Sequence, residues 1–372
     1  MDKNSLEYRD FRPGDEGLIG DLYHQIFQKA RDIKQWEWEF INTPEGSSTI
    51  RIIEDASRII GHIALIPMRF EYFDREVIVG KSEDSGLSPE YRGKRLFGKL
   101  EKSCFDQASE KGFSIAYSIS RTAREVHLKA GYHPLPSLKG YFVSLEHDFV
   151  AKELSKVLKL RTPGETLLKT TLKIFSNRFK KRFRTKPVKL EKIAIEKINR
   201  FDGRADELWN RFIDQHKVIT VKRSASYLNW RFVDNPNHEY DIYMALYKDA
   251  PVGYLITTAV RRKEDFNCDL LIGLISDFLL LDEHKEVLPL LFDKAVESWR
   301  RKRCDCVINW IQKEGIFSDL MLRQLRRFGF LPMMGKFSIP ISVRSLNKNI
   351  PIESIIEQKN WFITLAMCGR WA

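Results

Sequence analysis

The spacing of apolar positions changes several times along this chain, and each change marks an element. The run Glu76–Leu87 is strand-like, and Pro89 ends it because proline has no N–H to give a ladder. Beyond Gly93, Leu96, Leu100 and Cys104 recur every fourth residue and Phe97 joins them, the spacing of one helix face. Gly112–Ser120 predicts a second strand, and Thr122–Ala130 a short helix closing at Gly131. Further on, Leu168, Leu172, Phe175, Phe179 and Phe183 recur at spacings of four, three, four and four. Lys169, Lys173, Arg178, Lys180, Lys181, Arg182 and Arg184 fill much of the remainder, so the pattern predicts an amphipathic cationic helix.

The chain also repeats itself. Trp38-x-Phe40-x3-Pro44 recurs as Trp230-x-Phe232-x3-Pro236, and the same distance on from each tryptophan a glycine, Gly61 or Gly253, opens a strand. Gly131-Tyr-His-Pro134 is then matched by Gly329-Phe-Leu-Pro332. Three anchors in one order predict two like domains in tandem. We expect a first domain over 1–147, a basic helical connector over 148–200, a second domain over 201–345 and a C-terminal tail over 346–372. The predicted class is α/β, with a mixed sheet flanked by helices in each domain.

At 372 residues there is room for two cores and a connector. The net charge of +12 has one location: residues 151–200 hold 16 Lys/Arg against 4 Asp/Glu, and the remaining 46 of each sign cancel. A high isoelectric point therefore describes the connector and not the domain surfaces. One reading docks the phenylalanine stripe on a domain and leaves the lysines solvated; the other brings residues 165–186 against an anionic membrane face, or against an anionic substrate such as a nucleotide sugar. Nucleic acid is not expected, since neither domain shares the charge. No run is apolar enough to span a bilayer, the start Met-Asp-Lys-Asn-Ser is unlike a secretory signal, and five scattered cysteines suit no disulfide framework. Cys304-x-Cys306 lies in an apparent strand, whose alternation parts the two thiols, so no metal is expected. These features predict a cytoplasmic protein, with peripheral contact at the inner membrane face under the second reading.

The most informative stretch is Ser88–Leu100. A turn between a strand and a helix N-terminus aims unpaired backbone N–H groups at one point, where the helix dipole also favours an anion. Arg92, Lys94 and Arg95 add charge there, which makes the turn a pyrophosphate seat. The second copy lacks it. Asp277 falls where Asp84 does, but no glycine occurs from Leu274 to Glu314, and a loop without glycine does not readily reach the positive dihedrals a diphosphate needs.

At Pro89-Glu90-Tyr91-Arg92-Gly93-Lys94 the chain resembles the GNAT superfamily, the acyl-CoA-dependent N-acyltransferases, although Arg95 and Phe97 stand where the signature has small residues. Ala123-x3-His127-x3-Gly131-Tyr132 keeps the spacing of a second family pattern, with His127 in place of a tyrosine that often protonates the departing thiolate. The resemblance implies a tandem GNAT-like protein with a degenerate second copy. It implies acetyl-CoA or another acyl-CoA as co-substrate, with pyrophosphate on the amides of Gly93 through Gly98, including Lys94, Arg95, Leu96 and Phe97. The Leu87 N–H would meet the thioester carbonyl.

Direct attack of an amine on the thioester needs a base, an oxyanion donor and an acid. Glu83 or Asp84 is positioned to be the base. Neighbours on a strand face opposite ways, so only one can serve, and the repeat partner Asp277 gives Asp84 a structural reading and favours Glu83. Pairing of both carboxylates with a lysine such as Lys81 is the alternative for this site. His127 is the expected acid, or else a helix histidine bonded to backbone. His62 and Trp36 are expected to line the acceptor side, whereas Trp38 and Trp230, present in both copies, read as core. Leu325 holds the place of His127 in the second copy. The Arg-Gly-Lys-x-Leu-Phe variant is similar to bacterial acyltransferases of cell-surface polysaccharide assembly, which implies a small amine, an amino sugar, as acceptor. The rival readings are a tandem aminoacyl transferase using charged tRNA, for which a pyrophosphate turn lacks a purpose, and a scaffold of two degenerate domains.

Overall fold

The computed structural model describes residues 6–120, 124–182, 192–261, 269–333 and 337–368. In the first half the strands are β1 (Leu6–Asp10), β2 (Thr49–Asp55), β3 (Arg58–Tyr72), β4 (Arg75–Leu87), β5 (Phe113–Ser118) and β6 (His133–Ser144). The helices are α1 (Glu16–Phe27), α2 (Ile33–Phe40), α3 (Leu96–Glu110) and α4 (Arg124–Lys129). A hairpin of α5 (His147–Leu158) and α6 (Thr162–Arg182) follows. The second half has β7 (Ile193–Ile198), α7 (Gly203–Gln215), β8 (Ile219–Val221), α8 (Ala225–Phe232), β9 (Tyr240–Tyr247), β10 (Ala250–Arg261) and β11 (Leu271–Leu280). It ends with α9 (Val287–Arg301), β12 (Cys306–Ile311), α10 (Ser318–Arg327), β13 (Leu331–Pro332) and β14 (Ile339–Ser345). Apart from the short β8 and β13, the two halves run through the same order of elements.

The sheets of the two halves meet in β6, whose first part lies beside β14 and whose last part lies beside β12. The strands form one continuous ladder, β1-β2-β3-β4-β5-β14-β6-β12-β11-β10-β9-β7. The cause is a reciprocal crossing of late strands. From the second half, β14 inserts beside β5 (Ser342↔Ser118), and from the first half the end of β6 pairs with β12 (Phe142↔Ile308). Each half completes the other's sheet, so neither has a free edge at the junction. The chain beyond β14 is also built in: Trp361, Phe362 and Cys368 are buried.

The repeated residues explain themselves by contact. Gly61 and Gly253 make room for a leucine of the next strand, since a Cβ at either would stand 2.8 Å from Leu87 Cδ2 or Leu280 Cδ2. Trp38 and Trp230 stack on each other, centroids 5.0 Å apart, and each indole N–H donates to the other's carbonyl oxygen, at 2.9 and 3.0 Å. This reciprocal pair fastens one half to the other. The core reading of these tryptophans matches their packing, because their polar edges are spent on each other.

The predicted stripe of the connector helix docks where it is described: Leu172 is buried in the main core and Leu168 packs against it. Phe175 and Phe179 have no described side chains, and residues 183–191 lie outside the described residues, Phe183 and Arg184 among them. No helix of the described residues is long and apolar enough to cross a membrane. Among them Cys104, Cys304, Cys306 and Cys368 are free and buried, and no group of three metal-ligating side chains comes together.

Candidate active site

Parallel pairing of β4 with β5 ends at Ser82↔Ser118, although β4 runs on to Leu87. At that point β4 also bulges against β3: Ala64 faces Glu83 and His62 faces Gly86, so Asp84 and Ser85 oppose the single Ile63. Asp84 takes the left-handed conformation at φ 50°. The bulge re-aims the last residues of β4 as β5 leaves, so the two strands part. Beyond it Ser88 N–H donates to Ile60 O at 2.8 Å. In an antiparallel ladder the next pair inward, Gly61↔Leu87, is then the non-bonded kind, and the Leu87 amide points away from β3 into the opening. Arg92 Nε reaches the Leu87 carbonyl oxygen from the same side, at 3.4 Å.

The turn that follows is left-handed twice, at Gly93 (φ 79°) and at Arg95 (φ 59°), which caps α3. Arg95 therefore takes a backbone form that ordinarily favours glycine, with its side chain exposed. Gly93 and Gly98 face open space, with no atom within 4 Å of a Cβ built on either. Arg92, Gly93, Lys94 and Arg95 are all exposed, while Leu96 and Phe97 are half-buried. Alternating backbone handedness at a helix N-terminus concentrates N–H groups into an anion-binding concavity. Arginine in this conformation costs about 1 kcal/mol relative to glycine. Arg95→Gly is thus expected to raise the urea midpoint by roughly 0.5–1 kcal/mol of stability, and Arg95→Val to lower it; a destabilised glycine variant would show that the arginine side chain itself holds the turn.

The carboxylates behave otherwise than strand alternation predicts. Because of the bulge, Glu83 and Asp84 join one cluster instead of facing opposite ways. Asp84 pairs with Arg31, Arg31 also pairs with Glu39, and Lys81 lies against Glu83 and 3.8 Å from Glu39. The side chains of Arg31, Glu39 and Asp84 are 4% exposed, that of Lys81 5%, and that of Glu83 20%, so Glu83 is the member that solvent reaches. Arg31 and Glu39 were not singled out in the sequence. Arg31 could have been, because the repeat places Arg223 in the matching position, and Arg223 pairs with Asp277 as Arg31 does with Asp84.

His62 is 2% exposed, below the ring of Phe40, with Nδ1 2.9 Å from the carbonyl oxygen of Asp84. The carbonyl can only accept, so Nδ1 carries the proton and fastens the bulge. Burial, followed by the nearby Arg31 charge, pushes the imidazole down to about 3. The folded protein therefore keeps His62 neutral where the unfolded chain, near the ordinary value of about 6.5, takes up a proton. The stability it contributes is complete above about pH 6.5 and is lost as the pH falls toward 3, at roughly 1.4 kcal/mol per unit. Urea midpoints taken at falling pH should drop more steeply for the native chain than for His62→Gln; parallel acid limbs would contradict this.

His127 is likewise buried, at 2% exposure, with Nδ1 3.1 Å from Oε1 of Glu101 on α3 and its ring 4.8 Å from that of Tyr132. Its partner is thus a carboxylate of α3 and not backbone. Glu101, 1% exposed, had no signal in the sequence, since a glutamate beside Leu100 reads as the solvent edge of the helix. Ala123 lies outside the described residues. Trp36 is 2% exposed and packs between Phe11 and Phe40, at centroid distances of 5.3 and 5.4 Å. The structure thus brings Glu83, Asp84, His62 and Leu87 to one end of β4, sets the Arg92–Gly98 turn beside them, and places Trp36 in the core.

The corresponding place in the second half is built differently. The pairing of β11 with β12 ends at Leu274↔Ile308, and the gap beyond is occupied by residues 361–365. Ile363 N–H donates to Gln312 Oε1 at 2.7 Å, and Thr364 Oγ1 to Asp277 Oδ1 at 2.5 Å. A space of about 20 Å³ is left, enough for little more than a water molecule. The loop from Asp282 to Glu286 has no residue of positive φ, and Leu325, in the place of His127, is fully buried.

The sequence profile of the acetyltransferase (GNAT) domain matches residues 7–134. In structure the chain is similar to a GCN5-related N-acetyltransferase from Anabaena variabilis, at 15% identity and a TM-score of 0.59 over 92% of this chain and 73% of that one. A tandem GNAT protein from the clavulanic acid biosynthesis pathway aligns over 92% of this chain and 99% of its own, at 10% identity and a TM-score of 0.57. Saccharomyces cerevisiae N-myristoyltransferase, solved with bound myristoyl-CoA, aligns over 91% of this chain and 82% of its own, at 12% identity and a TM-score of 0.58. No curated protein matches the chain in sequence. The turn, the parted strands and these likenesses agree: the chain has the GNAT acyltransferase fold across most of its length.

Proposed function

We propose that the first half is an N-acyltransferase that moves an acetyl or other acyl group from CoA to a primary amine, with an amino sugar of cell-surface polysaccharide assembly as the acceptor. The observation that carries this reading is the doubly left-handed, exposed turn at Arg92–Gly98 beside the point where β4 and β5 part. The amides of Gly93 to Gly98 seat the pyrophosphate, and Arg92, Lys94 and Arg95 supply the charge. The thioester carbonyl lies at the Leu87 N–H, which stabilises the oxyanion that forms on attack. Glu83 takes the proton of the incoming ammonium. Of the clustered carboxylates Glu39, Glu83 and Asp84 it is the one most open to solvent, which suits it to meet an acceptor. The C–N bond forms, the C–S bond breaks, and His127, oriented by Glu101, protonates the thiolate.

The second half is a degenerate copy that contributes framework. Its loop lacks the left-handed residues, its acid position is a leucine, and its cleft is filled by the chain's own end. Calorimetric titration with acetyl-CoA should therefore saturate at one equivalent per chain. Two equivalents would overturn the single site, and no heat at millimolar ligand would overturn the reading itself. A screen of amino sugars, polyamines and amino acids by thiol release then identifies the acceptor.

A further inference from the structure

The large apolar side chains left exposed among the described residues are unevenly placed. Of seven, Leu18, Ile33 and Val126 are scattered over the first half, whereas Phe149, Leu160, Leu167 and Ile174, at 41, 40, 69 and 55% exposure, all lie in the α5–α6 hairpin. The sequence periodicity explains only the opposite face of α6, where Leu168 and Leu172 pack into the core. Leu167 and Ile174 are seven residues apart, two helical turns, and so share one side, turned to solvent. On α5 the outward stripe is Phe149, Lys152 and Lys156, at spacings of three and four, and Lys159 follows as the left-handed C-cap, all exposed. Lys169 and Lys173 are exposed on α6.

The hairpin overlaps the segment 151–200, whose 16 Lys/Arg against 4 Asp/Glu account for the whole formal charge excess of the chain. Two properties therefore coincide on the hairpin: aliphatic side chains held in water, and, among its described side chains, the cations Lys152, Lys156, Lys159, Arg161, Lys169 and Lys173 against the carboxylates Asp148, Glu153 and Glu165. A bilayer with anionic headgroups satisfies both. Lysine ammonium groups reach the phosphates while their stems and the aliphatic side chains enter the acyl boundary. A nucleic acid would use the charge but leave Leu167 and Ile174 in water.

We propose that the α5–α6 hairpin docks this protein peripherally on membranes rich in anionic lipid. The surface is a shallow face, so its energy is shared between charge and apolar insertion, and removing either weakens it. The test uses the full chain, sedimented with phosphatidylcholine vesicles that contain or lack phosphatidylglycerol. Binding is expected with the anionic vesicles only, and should fall as salt is raised. The triple change Lys152→Glu, Lys156→Glu, Lys159→Glu should lower partition by about tenfold or more. Leu167→Glu with Ile174→Glu should lower it as well; Leu167→Ser with Ile174→Ser replaces that pair if its circular dichroism melt shows a misfolded helix. Equal partition into both vesicle types overturns the proposal. So does full binding by both sets of variants, or capture by single-stranded RNA that anionic vesicles fail to displace.

Discussion

A Gly93→Val variant is expected to remain folded and to lose acetyl-CoA binding. Gly93 sits at φ 79°, with nothing within 4 Å of where a Cβ would stand. The substitution thus meets no protein atom, and its damage is confined to the backbone of the turn. A β-branched residue in the left-handed region is a steric outlier, worth about 1–3 kcal/mol of strain, which the exposed turn relieves by changing its dihedrals. Relief rotates the amides that follow away from their common point. In the proposed pyrophosphate seat several N–H groups would meet one anion, so a change at one dihedral removes more than one hydrogen bond, and affinity should fall by roughly a hundredfold or more. Titration calorimetry beside a thermal melt checks both halves of the statement. Unchanged affinity would move the phosphate site elsewhere; a lost fold would make the turn structural.

The largest effect on stability is expected from Asp277→Asn. Asp277 and Arg223 have fully buried side chains, and Arg223 Nε lies 3.0 Å from Asp277 Oδ2. The same carboxylate accepts from Tyr254 Oη at 2.6 Å and from Thr364 Oγ1 at 2.5 Å. Removing the negative charge while leaving the guanidinium buried typically costs about 3–5 kcal/mol. Asparagine keeps the shape, so the loss is one of charge and not of a cavity. Because Thr364 belongs to the segment that fills the second cleft, the variant should also expose the chain end to proteolysis before global unfolding. Equilibrium denaturation, with limited proteolysis of the folded state, measures the two effects. A loss below about 1 kcal/mol would mean that the pair is compensated by its other hydrogen bonds.

Much of this architecture was legible in the order of residues, for local reasons. A strand, a proline, a glycine turn and a four-residue apolar spacing depend on neighbours in sequence, and β4, the turn and α3 lie where those signals place them. The repeat was legible because each half meets the same packing demand: Gly61 and Gly253 admit a leucine, and Asp84 and Asp277 each take an arginine. Other features had no local signature. The bulge at Asp84 puts Glu83 and Asp84 into one cluster, whereas alternation sets them apart. His127 meets Glu101 only when α4 packs on α3, and nothing near Glu101 marks it as buried.

By itself, then, the sequence determined which segments are strands and helices, that the pattern occurs twice, and that the first copy alone has a glycine in the turn after its fourth strand. Those are consequences of dihedral preference and apolar spacing, which act over a few residues. Only the tertiary structure decided which strand completes which half, that residues 361–365 fill the second cleft, and which carboxylate stays open to solvent. These depend on contacts between residues far apart in the chain, such as Thr364 with Asp277 or Ser342 beside Ser118. Burial and partnership at such contacts are properties of the packed molecule, and no short window of sequence contains them.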